Sequence, residues 1–392
     1  MTTVATTARS DRTELRRDLR QLIDTICADY PDAYWREVDE ARHYPEEFVD
    51  ALTGTGCLGA LVPEEYGGLG IGLGDASVLL EGINANGGNA GPVHAQLYTM
   101  GSVLRHGSEE QKRRYLPDIA AGRVRLQAFG VTEPTAGTDT TRIRTTATRT
   151  DDGYVVDGQK VFISRVQHSD LMLLLARTAR REDVARKSDG MSLFLIDLRE
   201  VEGVELRPIR TMVNHETNEV FFNSVRIPAD ALIGEEGEGF RYVLDGMNAE
   251  RILIASECVG DGRWFVRRAS RYATEREVFE RPIGRNQGVQ FPIAQAHVHI
   301  EAADLMRWKA ADLFDAGLPC AAEANMAKLL ASNASWEAAD VALQTHGGYG
   351  MTAEYDIERK FRETRLYRIA PISSNLILSY IGEHVLGMPR SF

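Results

Sequence analysis

"GYVVDGQKVFIS", Gly153 to Ser164, is the stretch on which the fold turns. β-Branched and aromatic residues crowd it, and an Asp157-Gly158 pair sits between "YVV" and "QKVFI". That pairing predicts two short strands joined by a tight hairpin turn. The same texture continues in "DLMLLLA", "MSLFLID", "VELRPIR" and "NEVFFNSVRIP", so a β-domain is expected over residues 127–235. On both sides the apolar period changes to that of helices. Upstream, "EEFVDALTGTGCLGALV" and "AQLYTMGSVLRHG" are helical, with Gly-rich punctuation at "EEYGGLGIGLGD". Downstream, long Ala-rich segments such as "CAAEANMAKLLASNASWEAADVALQTHGG" predict an antiparallel bundle of several long helices. The expected architecture is mainly α with a central, barrel-like β-domain: an N-terminal helical domain over 1–126, the β-domain, and a C-terminal four-helix bundle over 236–392. Within the last, "RLYRIAPISSNLILSY" carries Pro371, which should separate two helices.

The chain has 392 residues, 45 Lys plus Arg against 57 Asp plus Glu, and a net charge of −12. An acidic chain of this kind argues against nucleic acid as the main partner. The four cysteines, Cys27, Cys57, Cys258 and Cys320, are far apart, with no metal-ligand spacing. They read as free thiols in a reducing compartment, which predicts a cytoplasmic protein without a metal. No apolar run reaches the length of a membrane span, and the N-terminus lacks an apolar signal core.

Three constellations could carry chemistry. The helix holding "FRYVLDGMNAERILIASECVG" has an apolar stripe of Phe240, Val243, Leu244, Met247, Ile254 and Cys258, and Glu250 falls on it. Burial pushes a carboxylate toward its protonated form, as a general base working near neutral pH requires; the alternative is a structural ion pair with a neighbour such as Arg251. "AFGVTEPTAGTDTTRIRTTA", Ala128 to Ala147, offers hydroxyls and close backbone approach to a nucleotide-like ligand, or else plain turns. "ATEREVFERPIGRNQ" and "LQTHGGYGMTAEYDIERKFRE" join helices to Gly-containing turns beside Arg and Gln, which suit a pyrophosphate or, equally, ordinary helix C-caps.

Taken in order and together, these segments resemble the acyl-CoA dehydrogenase family over nearly the whole chain. "GSEEQKRRYLPDIAAG" closes the first domain, "VTEPTAGTD" is similar to V-T-E-P-x-x-G-S-D, and "GQKVFIS" to G-x-K-x-W-I-T. "TEREVFERPIGRNQ" and "QTHGGYG" follow in register with E-R-x-x-F-G-x-x-I-x-x-x-Q and Q-x-x-G-G-x-G. The resemblance implies FAD bound between the β-domain and the bundle, an acyl-CoA substrate, an electron-transfer flavoprotein as acceptor, and a homotetramer or homodimer whose partner subunit completes the FAD site. It implies that Phe129, Val131 and Thr132 lie along the isoalloxazine edge, with Phe162 and Ser164 beside the ring and its N5. Arg276, Phe279, Gln287, Gln344, Gly347 and Gly348 match the positions that hold the pyrophosphate and adenosine. Thr138, Asn248 and Arg251 match the substrate side, and His94 and Gln96 fall in the helix that lines the family's acyl pocket. Asn214 and His215 depart from the family's usual Gly/Arg/Ser pattern; His215 could touch ligand or solvent, and His346 is expected to order the FAD turn.

The chain departs from the family at one decisive point. Much of the family draws its base from an I-Y-E-G-T stretch, and here "RETRLYRIAPISSN" puts Ala370 for the Tyr and Pro371 for the Glu, with Ser373 in place of the flavin-binding Thr. A proline takes no proton. Isovaleryl- and long-chain-type members instead carry the base in a Glu-Arg pair on a bundle helix, and Glu250-Arg251 in "NAERILIAS" is similar to that pair. The expected activity is α,β-dehydrogenation of an acyl-CoA with Glu250 as base and Pro371 as a wall of the acyl pocket. A thioester-binding member without net oxidation, or a flavin oxidase that uses oxygen, is the alternative.

Overall fold

The computed structural model describes residues 2–391. In chain order the main elements are α1 (Thr2–Ala28), α2 (Asp32–Ala41), α3 (Glu46–Gly54), α4 (Leu73–Ala85), α5 (Gly91–His106) and α6 (Glu109–Ala120). The strands follow: β1 (Leu126–Gly130), β2 (Thr146–Arg149), β3 (Gly153–Ser164), β4 (Leu171–Arg177), β5 (Met191–Asp197), β6 (Val204–Pro208), β7 (Thr217–Pro228) and β8 (Leu232–Ile233). Then come α7 (Gly239–Glu275), the small hairpin β9 (Glu277–Val278) and β10 (Arg281–Pro282), α8 (Gln287–Asp315), α9 (Ala321–His346), α10 (Ile357–Leu366) and α11 (Ser374–Tyr380). The contacts divide the chain into two compact units, one of residues 1–41, 72–90 and 248–392, the other of 42–71 and 91–247. No helix among the described residues is long and apolar enough to cross a membrane.

The unit of residues 42–71 and 91–247 is built on one sheet in the order β6-β7-β3-β2-β4-β5-β8, with β1 pairing parallel to β4. Every residue of β4 and β5 is buried, as continuous apolar runs require. Phe194, Phe222, Tyr154 and Met172 fill the core. The Asp157-Gly158 pair does not turn the chain. β3 runs straight through it as one strand of 12 residues, and the pairing register with β7 slips between Val156 and Gly158. The reason lies in what surrounds the pair. Asp157 Oδ1 accepts the Ser224 N–H at 2.8 Å, while Gly158, at φ +153°, presses so close to β2's approach that a Cβ would lie 2.5 Å from Thr145 Oγ1. Asp-Gly here makes a bulge, and the true β2–β3 turn lies upstream, where the Thr150 N–H donates to Gly153 O at 2.8 Å. A second slip, between Lys160 and Ile163, leaves Phe162 at φ +60°.

In the unit of residues 1–41, 72–90 and 248–392, the long helices α8 and α9 pack along each other and α4 lies against α1 and α8. Two glycines of α7 permit close approach: a Cβ on Gly260 would meet Glu81 O at 2.3 Å, and one on Gly262 would meet Ile300 at 2.7 Å. Charged side chains tie the helices. Arg307, fully buried, donates to Glu81 at 3.1 Å and to Asp304, and Arg263 bonds Glu81, Glu301 and Asp304. Lys360 of α10 reaches Asp261 of α7 at 2.7 Å and Glu363 at 2.8 Å. As Pro371 predicts, α10 ends at Leu366 and α11 starts at Ser374.

Candidate active site

The segment after β1 is held by β3. Lys160, with 0% exposure, donates to Val131 O at 3.0 Å and to Glu133 Oε1 at 2.9 Å, and the Val161 N–H donates to Thr132 O at 2.9 Å. Glu133 also accepts the N–H groups of Arg144 (2.6 Å) and Thr145 (2.9 Å). Burial pulls the Lys160 ammonium down to about 8 against the pull of Glu133. Burial raises Glu133, but Lys160 and the amide donors outweigh it and hold the carboxyl below its ordinary value. The backbone of Val131 and Thr132 is thereby fixed from two sides. Phe129 lies 5.9 Å from the ring of Tyr98, which in turn meets His94 at 5.2 Å. Gln96 is committed elsewhere: its Oε1 accepts the Leu126 N–H at 2.9 Å. Beyond this segment Thr138 is exposed in a loop, and the loop's far end is clasped by Arg177, whose guanidinium donates to the carbonyls of Thr141, Ile143, Lys187 and Asp189.

At the end of β3 the bulge turns the Phe162 ring outward, 63% exposed. Two residues on, the half-buried Ser164 hydroxyl accepts from Asn214 Nδ2 at 2.6 Å. His215, next along, is half-buried.

Glu250, on α7, is 9% exposed, and Ala249, Ile252, Leu253, Ile254 and Cys258 are buried around it. Leu244 departs from the expected stripe and is 51% exposed. The charge of Glu250 reaches two cations, the half-buried Arg251 and the fully buried Lys328. It opposes the burial that lowers Arg251, and with Cys258 it opposes the burial that brings Lys328 down to about 8. Arg251 Nη1 donates to Asn248 Oδ1 at 2.9 Å, while its Nε is buried with no hydrogen-bond partner among the described residues. Lys328, fully buried on α9, donates to Ile372 O at 2.9 Å, so the segment carrying Pro371 is pinned to α9. Ser373 caps α11, accepting the Leu376 N–H at 3.4 Å.

The remaining residues expected to hold a nucleotide sit at the other end of the long helices. Arg276, Gln287, Gln344, Gly347 and Gly348 are all exposed. Phe279, at φ +53° beside Glu280 at φ +62°, tips the β9–β10 hairpin and is 93% exposed, the two positive φ values being those of a tight hairpin turn. This hairpin and the turn after α9 share an anchor. His346 stacks on Tyr272 with ring centroids 4.3 Å apart and bonds Ala342 O at 2.7 Å through Nδ1, and burial lowers its proton affinity. His346 is thus a structural pin.

Residues 13–123, 128–225 and 237–386 match in turn the models of the N-terminal, middle and C-terminal domains of acyl-CoA dehydrogenase. This chain belongs to the acyl-CoA dehydrogenase family. The acyl-CoA dehydrogenase FadE12 of Mycobacterium tuberculosis is 36% identical over 384 residues, 97% of this chain and 98% of that protein. Among solved structures, the glutaryl-coenzyme A dehydrogenase glutaryl-CoA complex superposes with a TM-score of 0.89 at 29% identity, covering 97% of this chain and 96% of the other. PigA with FAD and proline superposes with a TM-score of 0.88 at 25% identity, covering 96% and 98%.

Against this acyl-CoA dehydrogenase background, four side chains stand out that the sequence reading did not assign. Lys160 and Lys328 are lysines inside otherwise apolar runs, "QKVFI" and "NMAKLLA", and such a lysine is rarely buried without a carbonyl or carboxylate to receive it. That signal was available. Arg177 gives none, since its partners are loop carbonyls, and Asn214 shows only as a departure from the family pattern, because its hydroxyl partner lies 50 residues away.

Proposed function

We propose that this chain catalyses the FAD-dependent α,β-dehydrogenation of an acyl-CoA thioester to the 2-enoyl-CoA, with Glu250 taking the α-proton. The observation that carries the reading is a carboxylate 9% exposed on α7, within electrostatic reach of Lys328 and Arg251, in a chain whose other familiar base position is Pro371. The similar glutaryl-coenzyme A dehydrogenase was solved with glutaryl-CoA, and the similar PigA with FAD.

The residues present suit FAD. A Cβ added to Gly347 or Gly348 would meet no atom within 4 Å, so their backbone is open to a phosphate, and Arg276, Gln287 and Gln344 add a cation and amides to the same exposed end. Phe279 offers a bare ring to the adenine. Phe162 would serve as the aromatic wall of the isoalloxazine, with Ser164, Phe129 and the fixed backbone of Val131 and Thr132 at its edge. When bound, FAD would supply an acceptor for the β-hydride at N5, with an electron-transfer flavoprotein taking the two electrons onward.

Glu250 carries the proton side of the reaction. As the β-hydride leaves, its carboxylate removes the α-proton, and the Cα–Cβ double bond forms from the electrons of the broken Cα–H bond. Lys328 and Arg251 set positive charge within electrostatic reach of Glu250. Asn248 and Arg251 bind the CoA part on this proposal, and Pro371 bounds the acyl group. A proline in place of a carboxylate leaves room for a branch or bulky group at the reacting end.

The chain assembles as a homodimer or homotetramer on this reading. On α8, Phe291, Val298 and Leu305 recur every seven residues and are 56%, 58% and 74% exposed, an apolar stripe that a second copy would cover. Leu305→Glu should shift the sedimentation of the protein to a smaller species. Free, buried cysteines agree with a cytoplasmic setting.

An anaerobic screen of acyl-CoAs that differ in length, branching and polarity tests the activity by loss of flavin absorbance. A yellow protein that no acyl-CoA bleaches would point to a binding member, and peroxide release in air to an oxidase.

A further inference from the structure

Ser164 is held in a way that leaves its proton to spare. The β3–β7 ladder ends on the pair Ser164–Thr217. Immediately before β7, Asn214 stands at φ +55°, a left-handed conformation that asparagine tolerates better than most residues. Its side chain is then fixed by three neighbours. Arg165 Nη2 donates to Asn214 Oδ1 at 2.9 Å, and a guanidinium only donates, so the oxygen must face Arg165 and the NH₂ must face the other way. That NH₂ donates to Ser164 Oγ at 2.6 Å and to Thr217 Oγ1 at 3.0 Å. Thr217 returns its own proton to Asn214 O at 2.6 Å, and the Arg165 N–H is tied to Glu216 O at 2.9 Å. The orientation of the amide is therefore set from both ends.

A hydroxyl that accepts from an N–H keeps its O–H for another partner. Ser164 meets no acceptor for that proton among the described residues. Were Asn214 replaced by an acceptor, the proton would point at residue 214 instead of outward.

We infer that Asn214 is a positioning residue that makes the Ser164 hydroxyl an outward hydrogen-bond donor, poised for the electron-accepting ring that the half-buried end of β3 serves. The inference rests on the proposal that Ser164 stands beside the flavin. A donor at the ring edge stabilises the electron-rich reduced form over the oxidised form, so its loss lowers the reduction potential.

The experiment is a double-mutant cycle on the purified holoenzyme, with Asn214→Gly, Ser164→Ala and both together, read by the two-electron midpoint potential of the bound flavin and its visible spectrum. Glycine adopts φ +55° freely, so the backbone is kept while the amide is lost. Asn214→Ala removes the same amide and serves if the glycine variant loses its fold. The expected result is a roughly tenfold loss in the reduction equilibrium constant for Asn214→Gly, about 30 mV for a two-electron couple, a shift of the same sign for Ser164→Ala, and no further shift in the double variant. Equal shifts from Asn214→Gly with and without Ser164 would overturn the inference, as would an unchanged potential in Asn214→Gly beside a shifted Ser164→Ala. If Ser164→Ala itself leaves potential and spectrum unchanged, the premise about Ser164 fails and takes the inference with it, while the Glu250 chemistry is left standing.

Discussion

Lys328 Nζ donates to the carbonyl oxygen of Ile372 at 2.9 Å. One fully buried ammonium thus restrains the segment that carries Pro371 and, from the same place, feels the charge of Glu250. Cys258 and Glu250 raise its proton affinity, Arg251 and Arg368 lower it, and burial outweighs them all and brings it down to about 8. The unfolded chain would hold that proton up to about 10.4. Between those values the unfolded state binds more protons than the native one, so native stability rises with pH across the window, and the burial penalty is at its full size below pH 8. Lys328→Met lacks this term. The parent should gain stability relative to Lys328→Met as the pH goes from about 8 to about 10, by at most about 3 kcal/mol, and paired thermal melts across that range check it.

Lys360 joins Asp261 and Glu363 in the interior, at 2.7 and 2.8 Å, and also donates to Gly88 O at 2.8 Å. Burial raises Asp261 to about 7, against the pull of Lys360, and the two carboxylates keep Lys360 charged above its ordinary range despite burial. Lys360→Met leaves Asp261 without its cation, while Glu363 keeps Arg359 at 3.0 Å, and should cost about 3–5 kcal/mol. Adding Asp261→Asn to that variant should recover part of the loss, a comparison read from denaturant midpoints.

The bulge in β3 gives a second stability test. A side chain at Gly158 must meet Thr145 Oγ1 at 2.5 Å and the Thr145 Cα at 2.7 Å, with φ at +153°. Gly158→Val should therefore destabilise by more than about 2 kcal/mol, whereas in a two-residue hairpin turn the same glycine would point its hydrogen to solvent. Thermal denaturation of Gly158→Val separates the two descriptions.

The fold was largely legible because its signals are local. Five strand runs emerged from β-branched and aromatic texture and the long helices from apolar periodicity, and Pro371 marked the gap between α10 and α11. Asp157-Gly158 misled for a physical reason: the pair has the turn propensity of a hairpin, but Ser224 and Thr145, both distant in sequence, take up its hydrogen-bonding and steric freedom. Leu244 misled likewise, since helical period alone does not say how wide a face the neighbours cover. The burial of Glu250 on α7 could be read ahead, because the apolar stripe it falls on is local. The Lys328–Ile372 and Asn214–Ser164 bonds span 44 and 50 residues and leave no periodic trace.

Glu250 as the base is tested most directly by the rate of anaerobic flavin bleaching when Glu250→Gln is mixed with an acyl-CoA that bleaches the parent. Glutamine keeps the size of the side chain and cannot take the α-proton, so the rate should fall by about 10²–10⁴-fold, with flavin content and acyl-CoA binding retained. Bleaching at the parent's rate would show that another group removes the proton.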